Sequence, residues 1–417
     1  MKKLLKKMLF QWFNSYFRRW LIFNFYALPS NLFKTTPSID VFLSLNDPYS
    51  FLLVQTLSDL QQRFNIEFKL YLTYESSEKT YDVTMWRDWA ISDVNLLAKS
   101  YGLMGITQQP TIKTLVTGQQ LWQLKSKSIE NAAQLFKQVW HNEFTEYFGP
   151  STPVINAHIS NKKKQIRKGH YQPASLYFLG EWYTGIERLD HLEHRLVKAK
   201  LASDFSGYVY NKHHLEYRPN IVLKNKEVLT AYVSIRSPYS YIGWLQALKL
   251  SETYQLTLDV KIVLPLMMRG ITVPTEKQRY ILIDSLREAR VQKLPVGKFS
   301  DPLGKGVIRS YTLFPYFEHV GKSVEYIDAL FKAVFVQGLD LAKEDNLLQV
   351  CFELNESYEL ALSFAALNDW QAITDENQQT MDTLGFWGVP SFQYKQVACW
   401  GQDRLFQIEK EILKEIT

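Results

Sequence analysis

The sequence predicts an α/β protein in which one arrangement of strands and helices is written twice. Three observations carry that prediction. A β-branched and aromatic run, Val228 to Ile235, leads into Ser237-Pro238 and then into an apolar-periodic pattern from Tyr241 to Leu250. This is the pattern of a strand, a helix N-cap with proline at the first helical position, and a helix. The same order occurs 190 residues earlier, where Ile39 to Leu45 runs into Asp47-Pro48 and a helix pattern from Ser50 to Phe64. Further pairs follow in register: Asp93 with Asp284 at an offset of 191, Leu135-Phe136-Lys137 with Leu330-Phe331-Lys332 at 195, Pro173 with Pro390 at 217 and Arg188 with Arg404 at 216. Self-similarity of this kind marks an internal repeat, and the late jump in offset means that copy one lacks about twenty residues of its helical middle.

Composition sets the frame for these elements. The chain has 417 residues, enough for two or three domains, and 46% of them are apolar, which fits globular cores and not disorder. Cys351 and Cys399 form no CxxC and no metal-ligand spacing. A disulfide framework is therefore not expected, and a reducing, cytoplasmic setting fits. The net charge of +6 is unevenly placed: residues 1–38 carry seven basic residues and no acid, so the rest of the chain is near neutral. The basic balance thus belongs to the N-terminal arm, and nothing points to nucleic acid as a partner.

Residues 1–37 form that arm, a basic and aromatic segment with Trp12, Phe13, Phe17 and Trp20. Its longest near-apolar stretch, Trp20 to Leu28, is too short to span a bilayer. The expectation is an amphipathic helix over residues 1–34, lying on a membrane surface or packed across the body of the protein or a partner chain. Copy one occupies residues 38–205: strand, helix, a second strand over Ile66 to Tyr74, a helical middle, Gln172-Pro173, a strand from Ser175 to Leu179, and a last helix opened by Gly185-Ile186-Glu187-Arg188. Residues 206–227 read as a linker. Its paired His213 and His214 have no third ligand at metal-binding spacing and read as solvated residues. Copy two, residues 228–417, repeats the order through Val389-Pro390, a strand from Ser391 to Val397, and Gly401-Gln402-Asp403-Arg404 at the start of the last helix.

Strand, helix, strand, helical insert, X-Pro with two strands, and a final helix is the thioredoxin order with a helical subdomain inserted. At Ser237-Pro238-Tyr239-Ser240, Val389-Pro390 and Trp400-Gly401-Gln402-Asp403-Arg404, copy two resembles the 2-hydroxychromene-2-carboxylate isomerases and kappa-class glutathione transferases of the DsbA-like thioredoxin folds. The predicted fold is therefore two tandem thioredoxin-like domains, each with an inserted helical subdomain. The resemblance implies a glutathione-dependent isomerase or transferase acting on a small unsaturated or aromatic substrate, with glutathione as cofactor and no metal.

Within that resemblance Ser237 holds the glutathione sulfur, a role that the positive end of a helix and a donating hydroxyl suit. Ser240 takes the place of the resolving cysteine of redox relatives and reads as helix surface or support. Val389-Pro390 corresponds to the cis-proline, with the Val389 backbone left for a peptide-like ligand. Gln402, Asp403 and Arg404 match the amino-acid end of a γ-glutamyl group, since backbone donors suit a carboxylate and Asp403 an ammonium. Lys277 is the candidate for the glycine carboxylate. An asparagine expected just before its stretch is replaced by Met268-Arg269-Gly270-Ile271-Thr272, so Arg269 is an alternative cation, and Asp284 with Arg287 reads as a structural pair. The glycine-rich loop 295–306 lacks phosphate-loop order and reads as a mobile rim. Copy one has Asp47 where copy two has Ser237, Trp86 near the place of Lys277 and Leu96 near that of Arg287, which makes it a scaffold or an intramolecular pseudo-dimer partner. The competing expectation is a non-catalytic binding protein docked by its N-terminal helix.

Overall fold

In the computed structural model the described residues are 11–33, 36–64, 66–74, 83–124, 128–144, 152–202, 207–219, 223 and 225–415. Contacts divide the chain into two units. An N-terminal unit takes residues 19–213 together with 274–280, and a C-terminal unit takes 1–18, 214–273 and 281–417.

In the N-terminal unit, strand β1 (Ser38–Leu43) and helix α2 (Pro48–Arg63) lead to β2 (Glu67–Leu72), which lies parallel to β1. Helices α3 (Val83–Tyr101), α4 (Ile112–Leu124), α5 (Ile129–Trp140) and α6 (Thr152–Arg167) follow, then the hairpin β3 (Ser175–Phe178) and β4 (Glu181–Thr184), and α7 (Leu189–Lys198). The sheet order is β2-β1-β3-β4, with β3 antiparallel to β1. A hairpin turn this tight needs left-handed backbone, and Leu179 and Gly180 supply it at φ of 42° and 81°. A side chain at Gly180 would strike Ile22 and Tyr26 of helix α1 (Tyr16–Phe33), so that helix seats directly on the hairpin. Arg195 stacks on Phe23 of the same helix. The N-terminal helix is thus partly packed on the protein, while Phe17, Trp20, Phe25 and Leu28 are exposed. Lys2, Lys3, Lys6, Lys7 and Lys34 lie outside the described residues. No described helix is long and apolar enough to cross a membrane.

The C-terminal unit runs β5 (Val228–Val233), α8 (Pro238–Tyr254), β6 (Thr257–Ile262), α9 (Thr275–Val291, in this unit from Ile281), α10 (Lys305–His319), α11 (Ser323–Phe335), α12 (Glu344–Glu353), α13 (Tyr358–Ala365), α14 (Trp370–Thr383), β7 (Ser391–Tyr394), β8 (Val397–Trp400) and α15 (Leu405–Lys414). Its sheet order is β6-β5-β7-β8, the same pattern of parallel and antiparallel pairing as in the other unit. The predicted α/β class is therefore what the chain adopts, as two four-stranded sheets with many helices. Between its two pairs of strands this unit has six helices, α9 to α14, where the described residues of the other unit have four, α3 to α6.

Strand registers correct one pairing made from the sequence. Phe42 faces Ser175 and Tyr232 faces Ser391, a spacing of 216 on the later strand. Likewise the Gly185 N–H donates to Ala174 O and the Gly401 N–H to Pro390 O, at 2.9 and 2.8 Å. The residue matching Pro390 is therefore Ala174, not Pro173. Ala174 has an N–H, and it donates to Ser50 Oγ at 3.1 Å, a bond that a proline could not make.

The segment read as a linker makes specific contacts at both ends: His214 is exposed, but His213 is not simply solvated. Buried Glu193 of α7 accepts the N–H groups of Val209 and Tyr210, and His213 packs on Tyr101 with ring centroids 4.7 Å apart. In the other unit Glu409 of α15 accepts the N–H groups of Glu216 and Tyr217, both at 2.6 Å. Backbone without sheet or helix partners must find acceptors elsewhere, and a carboxylate on each last helix provides them.

Candidate functional site

The site in the C-terminal unit is built at the start of α8. Ser237 leaves β5 in extended conformation (φ −81°, ψ 119°) and caps the helix: its Oγ accepts the Ser240 N–H at 3.1 Å, and Pro238 occupies the first helical position. The side chain is half-buried. Oγ acts here as acceptor, and its hydroxyl proton has no acceptor among the described residues. The helix start adds positive electrostatic potential at the same point.

Three predicted elements converge on α8. A side chain at Gly243 would lie 3.2 Å from Pro390, 3.3 Å from Gln402 and 2.8 Å from the Phe392 ring, so glycine is what lets the Pro390 loop and the Gln402 turn close on the helix. The Val389–Pro390 peptide is cis. Val389 itself is half-buried, and its N–H and C=O make no hydrogen bond to the described residues. Gly401 (φ +98°) joins this loop through its bond to Pro390 O and opens the turn Gln402–Arg404. Gln402 and Arg404 are buried, and the Gln402 amide donates to Asp403 at 3.2 Å.

Other predictions fare differently. Of the two alternatives for Ser240 the structure fits support and not helix surface: it is fully buried, and its Oγ accepts the Ser234 N–H at 3.3 Å, pinning the first turn of α8 to the end of β5. Loop 295–306 is not a mobile rim. Asp301 takes Arg236 in a two-pronged ion pair (2.9 and 3.4 Å), and Tyr241 Oη donates to Pro295 O at 2.5 Å. The backbone of Gly297 and Lys298 also bonds to Phe335 and Val336, at an approach too close for any side chain at 297. Arg269 is not left for a ligand carboxylate, since its guanidinium binds Gln378 and the Trp387 carbonyl. Lys277 falls among residues 274–280 of the N-terminal unit, with its ammonium 5.7 Å from the centre of the Tyr171 ring.

Sequence reasoning missed the tyrosine that follows each cap-proline pair. Tyr239 Oη donates to buried Asp284 at 2.7 Å, and Tyr49 Oη to Asp93 at 2.8 Å. Both pairs stand at the repeat offset, which was the signal available. Asp284 also lies 4.0 Å from Arg287, the structural pair expected from their spacing.

At the matching place in the N-terminal unit, Asp47 caps α2, accepting from Ser50 through its N–H (2.8 Å) and its hydroxyl (2.5 Å). Burial pushes the Asp47 carboxyl up to about 6, against the opposing pull of those hydrogen bonds. Ser50 Oγ also accepts the Ser44 and Ala174 N–H groups, so the hub is closed by the protein's own groups. Cys351 and Cys399 are buried and form no disulfide, and burial pushes the Cys351 thiol up to about 12. Among the described residues no group of three His, Cys, Asp or Glu could hold a metal ion.

Residues 228–413 match the model of the DSBA-like thioredoxin domain, so the C-terminal part of the chain has the DsbA-like thioredoxin fold. Among solved structures, a 2-hydroxychromene-2-carboxylate isomerase is similar at 22% identity and a TM-score of 0.40, over 45% of this chain and 95% of that one. A protein described as a putative protein disulfide isomerase from Nitrosomonas europaea is similar at 16% identity and 0.35, over 46% and 100%. The cytosolic disulfide reductase DsbM from Pseudomonas aeruginosa is similar at 18% identity and 0.32, over 46% and 100%. No curated protein matches the chain.

Proposed function

We propose that the C-terminal unit is a glutathione-dependent isomerase or transferase for a small unsaturated or aromatic substrate, and that the N-terminal unit is a diverged second copy without that chemistry. The observation that carries the reading is the Ser237 hydroxyl, which caps α8 through its oxygen and keeps its proton for a ligand. The residues present fit glutathione: a peptide-like ligand needs an extended partner, and the unbonded Val389 backbone offers one N–H and one C=O. The turn at Gln402 and Asp403 suits the charged amino-acid end.

When bound, glutathione would supply a thiolate for addition to an activated double bond; loss of the same thiolate after bond rotation would give the isomer, and uptake of a proton at the adjacent carbon would give the transferred product. Ser237 donates its O–H toward the sulfur and, with the helix start, favours the anion over the thiol. Val389 aligns the ligand backbone. Asp403 balances an ammonium. The hydroxyls at 237 and 240 cannot form disulfides, so thiol exchange by the protein itself is not part of the reading.

Calorimetry of glutathione with the full chain tests it. Binding to the wild type is expected to be saturable, and Ser237→Ala to weaken it about tenfold, the worth of one hydrogen bond to a charged group. No heat of binding to the wild type would defeat the proposal.

A second reading concerns location only. The exposed aromatic side chains of α1, Phe17, Trp20 and Phe25, suit a membrane surface beside the basic residues of the arm. Flotation with anionic liposomes is expected to recover the full chain and to lose a variant with Phe17, Trp20 and Phe25 replaced by serine; equal recovery of both would end this reading.

A further inference from the structure

The loop that presents Val389 is tied at each of the neighbouring carbonyls. Ser391 Oγ donates to Gly388 O and the Gly401 N–H donates to Pro390 O, both at 2.8 Å. Those two donors lie on the loop's own hairpin. The third tie comes from elsewhere: Arg269 Nη2 donates to Trp387 O at 2.6 Å. Arg269 ends the short 3-10 turn Leu266–Arg269 that follows β6, so its bond fixes the loop against a different part of the unit. The guanidinium is itself oriented. Nη1 donates to Gln378 Oε1 on α14, and Gln378 Nε2 donates to Asp382 Oδ1 at 2.6 Å, which turns the amide oxygen toward the arginine. A side chain at Gly388 would lie 2.5 Å from the Trp400 ring, so the loop is also closed from that side.

The N-terminal unit ties the same carbonyl with a different residue. Asn161 donates to Leu72 O as Asn377 does to Ile262 O, and Ser175 Oγ donates to Gln172 O as Ser391 Oγ does to Gly388 O. The offset is 216 at both points, 377 against 161 and 391 against 175. Lys162 therefore matches Gln378, Tyr171 matches Trp387 and Pro173 matches Val389. Lys162 of α6 is 3% exposed, and its ammonium donates to Tyr171 O. Burying an ammonium is costly, so two different cations spent on one carbonyl indicate that the loop needs this bond to keep its shape. Pro173 has no N–H, so the N-terminal loop cannot pair with an extended ligand as Val389 can. Only in the C-terminal unit does the tied loop offer both backbone groups.

We infer that Arg269 is a positioning residue of the proposed glutathione site: by holding the Trp387 carbonyl it sets the Val389 N–H and C=O in place for the peptide backbone of the ligand. The inference rests on that site and adds to it a residue that acts through the loop. A ligand that meets backbone already held in place does not have to order it on binding. A guanidinium suits this task, since its planar fork reaches the carbonyl and Gln378 together and is fixed by both.

Calorimetry of glutathione with the full chain tests the inference, at a temperature where far-UV circular dichroism shows each variant folded. Arg269→Met removes the donors and keeps the stem, and is expected to weaken glutathione about tenfold, the cost of ordering roughly one residue of loop on binding. Adding Gln378→Lys to Arg269→Met gives the C-terminal unit the arrangement of Lys162 and Tyr171, and is expected to restore affinity to within about threefold of the wild type. A role in stability alone would leave the affinity of the folded protein unchanged in both variants. Wild-type affinity in Arg269→Met, or a loss that Gln378→Lys does not repair, would overturn the inference while the glutathione reading stands. No binding by the wild type would defeat both. Should Arg269→Met not fold, Gln378→Met decides the matter, since it removes only the group that orients the guanidinium, at a half-buried helix position. A loss of about threefold is then expected, and unchanged affinity would overturn the inference.

Discussion

Replacing Ser237 by aspartate, the residue that caps the matching helix of the N-terminal unit, is expected to abolish glutathione binding while leaving the fold in place. Aspartate is as good an N-cap as serine, and Asp47 already caps α2 with a 2.8 Å bond to the Ser50 N–H. The helix therefore loses nothing. The ligand loses a donor and meets a like charge: two unit charges about 4 Å apart repel by about 4 kcal/mol at an effective dielectric constant near 20. A loss of at least a hundredfold in glutathione affinity at pH 7.5 is the expected result. Ser237→Asn is the control, since it caps without charge and should lose about tenfold, as alanine does. Equal affinities for the aspartate and asparagine variants would mean that no thiolate lies at residue 237, and the chemistry proposed for it would go with them.

How far the sequence led can be judged at particular residues. The order of elements, the Ser237 cap and the Val389-Pro390 and Gly401–Arg404 turns are local features, set by propensity, proline and glycine, and these can be read from the chain. What could not be read is long-range. The Arg236–Asp301 pair joins residues 65 positions apart, and it turns a loop with the composition of a flexible rim into a held one. Ser240 is buried because α8 lies against its sheet, which helical periodicity alone does not reveal. Resemblance assigns Lys277 to a ligand carboxylate, yet its ammonium lies over a tyrosine ring of the N-terminal unit. The Pro173 mismatch has a different cause. Two X-Pro pairs invited alignment, while the pairs Gly185 with Gly401 and Glu193 with Glu409, both at 216, carried the correct register.

The closed hub around Asp47 leads to a second large effect, this time on stability. Asp47 is 4% exposed, and burial lifts its carboxyl from the ordinary 3.8 to about 6. The folded chain therefore keeps a proton that the unfolded chain has already released. The stability this contributes is complete below about pH 4 and is lost as pH rises through the folded value near 6. The loss reaches about 3 kcal/mol, since each pH unit between the two values is worth about 1.4 kcal/mol. Asp47→Asn retains a cap acceptor and removes the titration. Urea unfolding of the full chain at pH 4, 5, 6 and 7 is expected to show the wild type losing ground to the variant across this range, with a constant gap above pH 7. Parallel stability profiles for the two proteins would mean that Asp47 stays ionised in the fold, held by Ser50 strongly enough to cancel its burial. In that case the N-terminal helix start would carry a full negative charge at every working pH. The carboxyl near 6 instead makes that start a partly protonated structural cap, where the serine at 237 leaves a proton for a ligand.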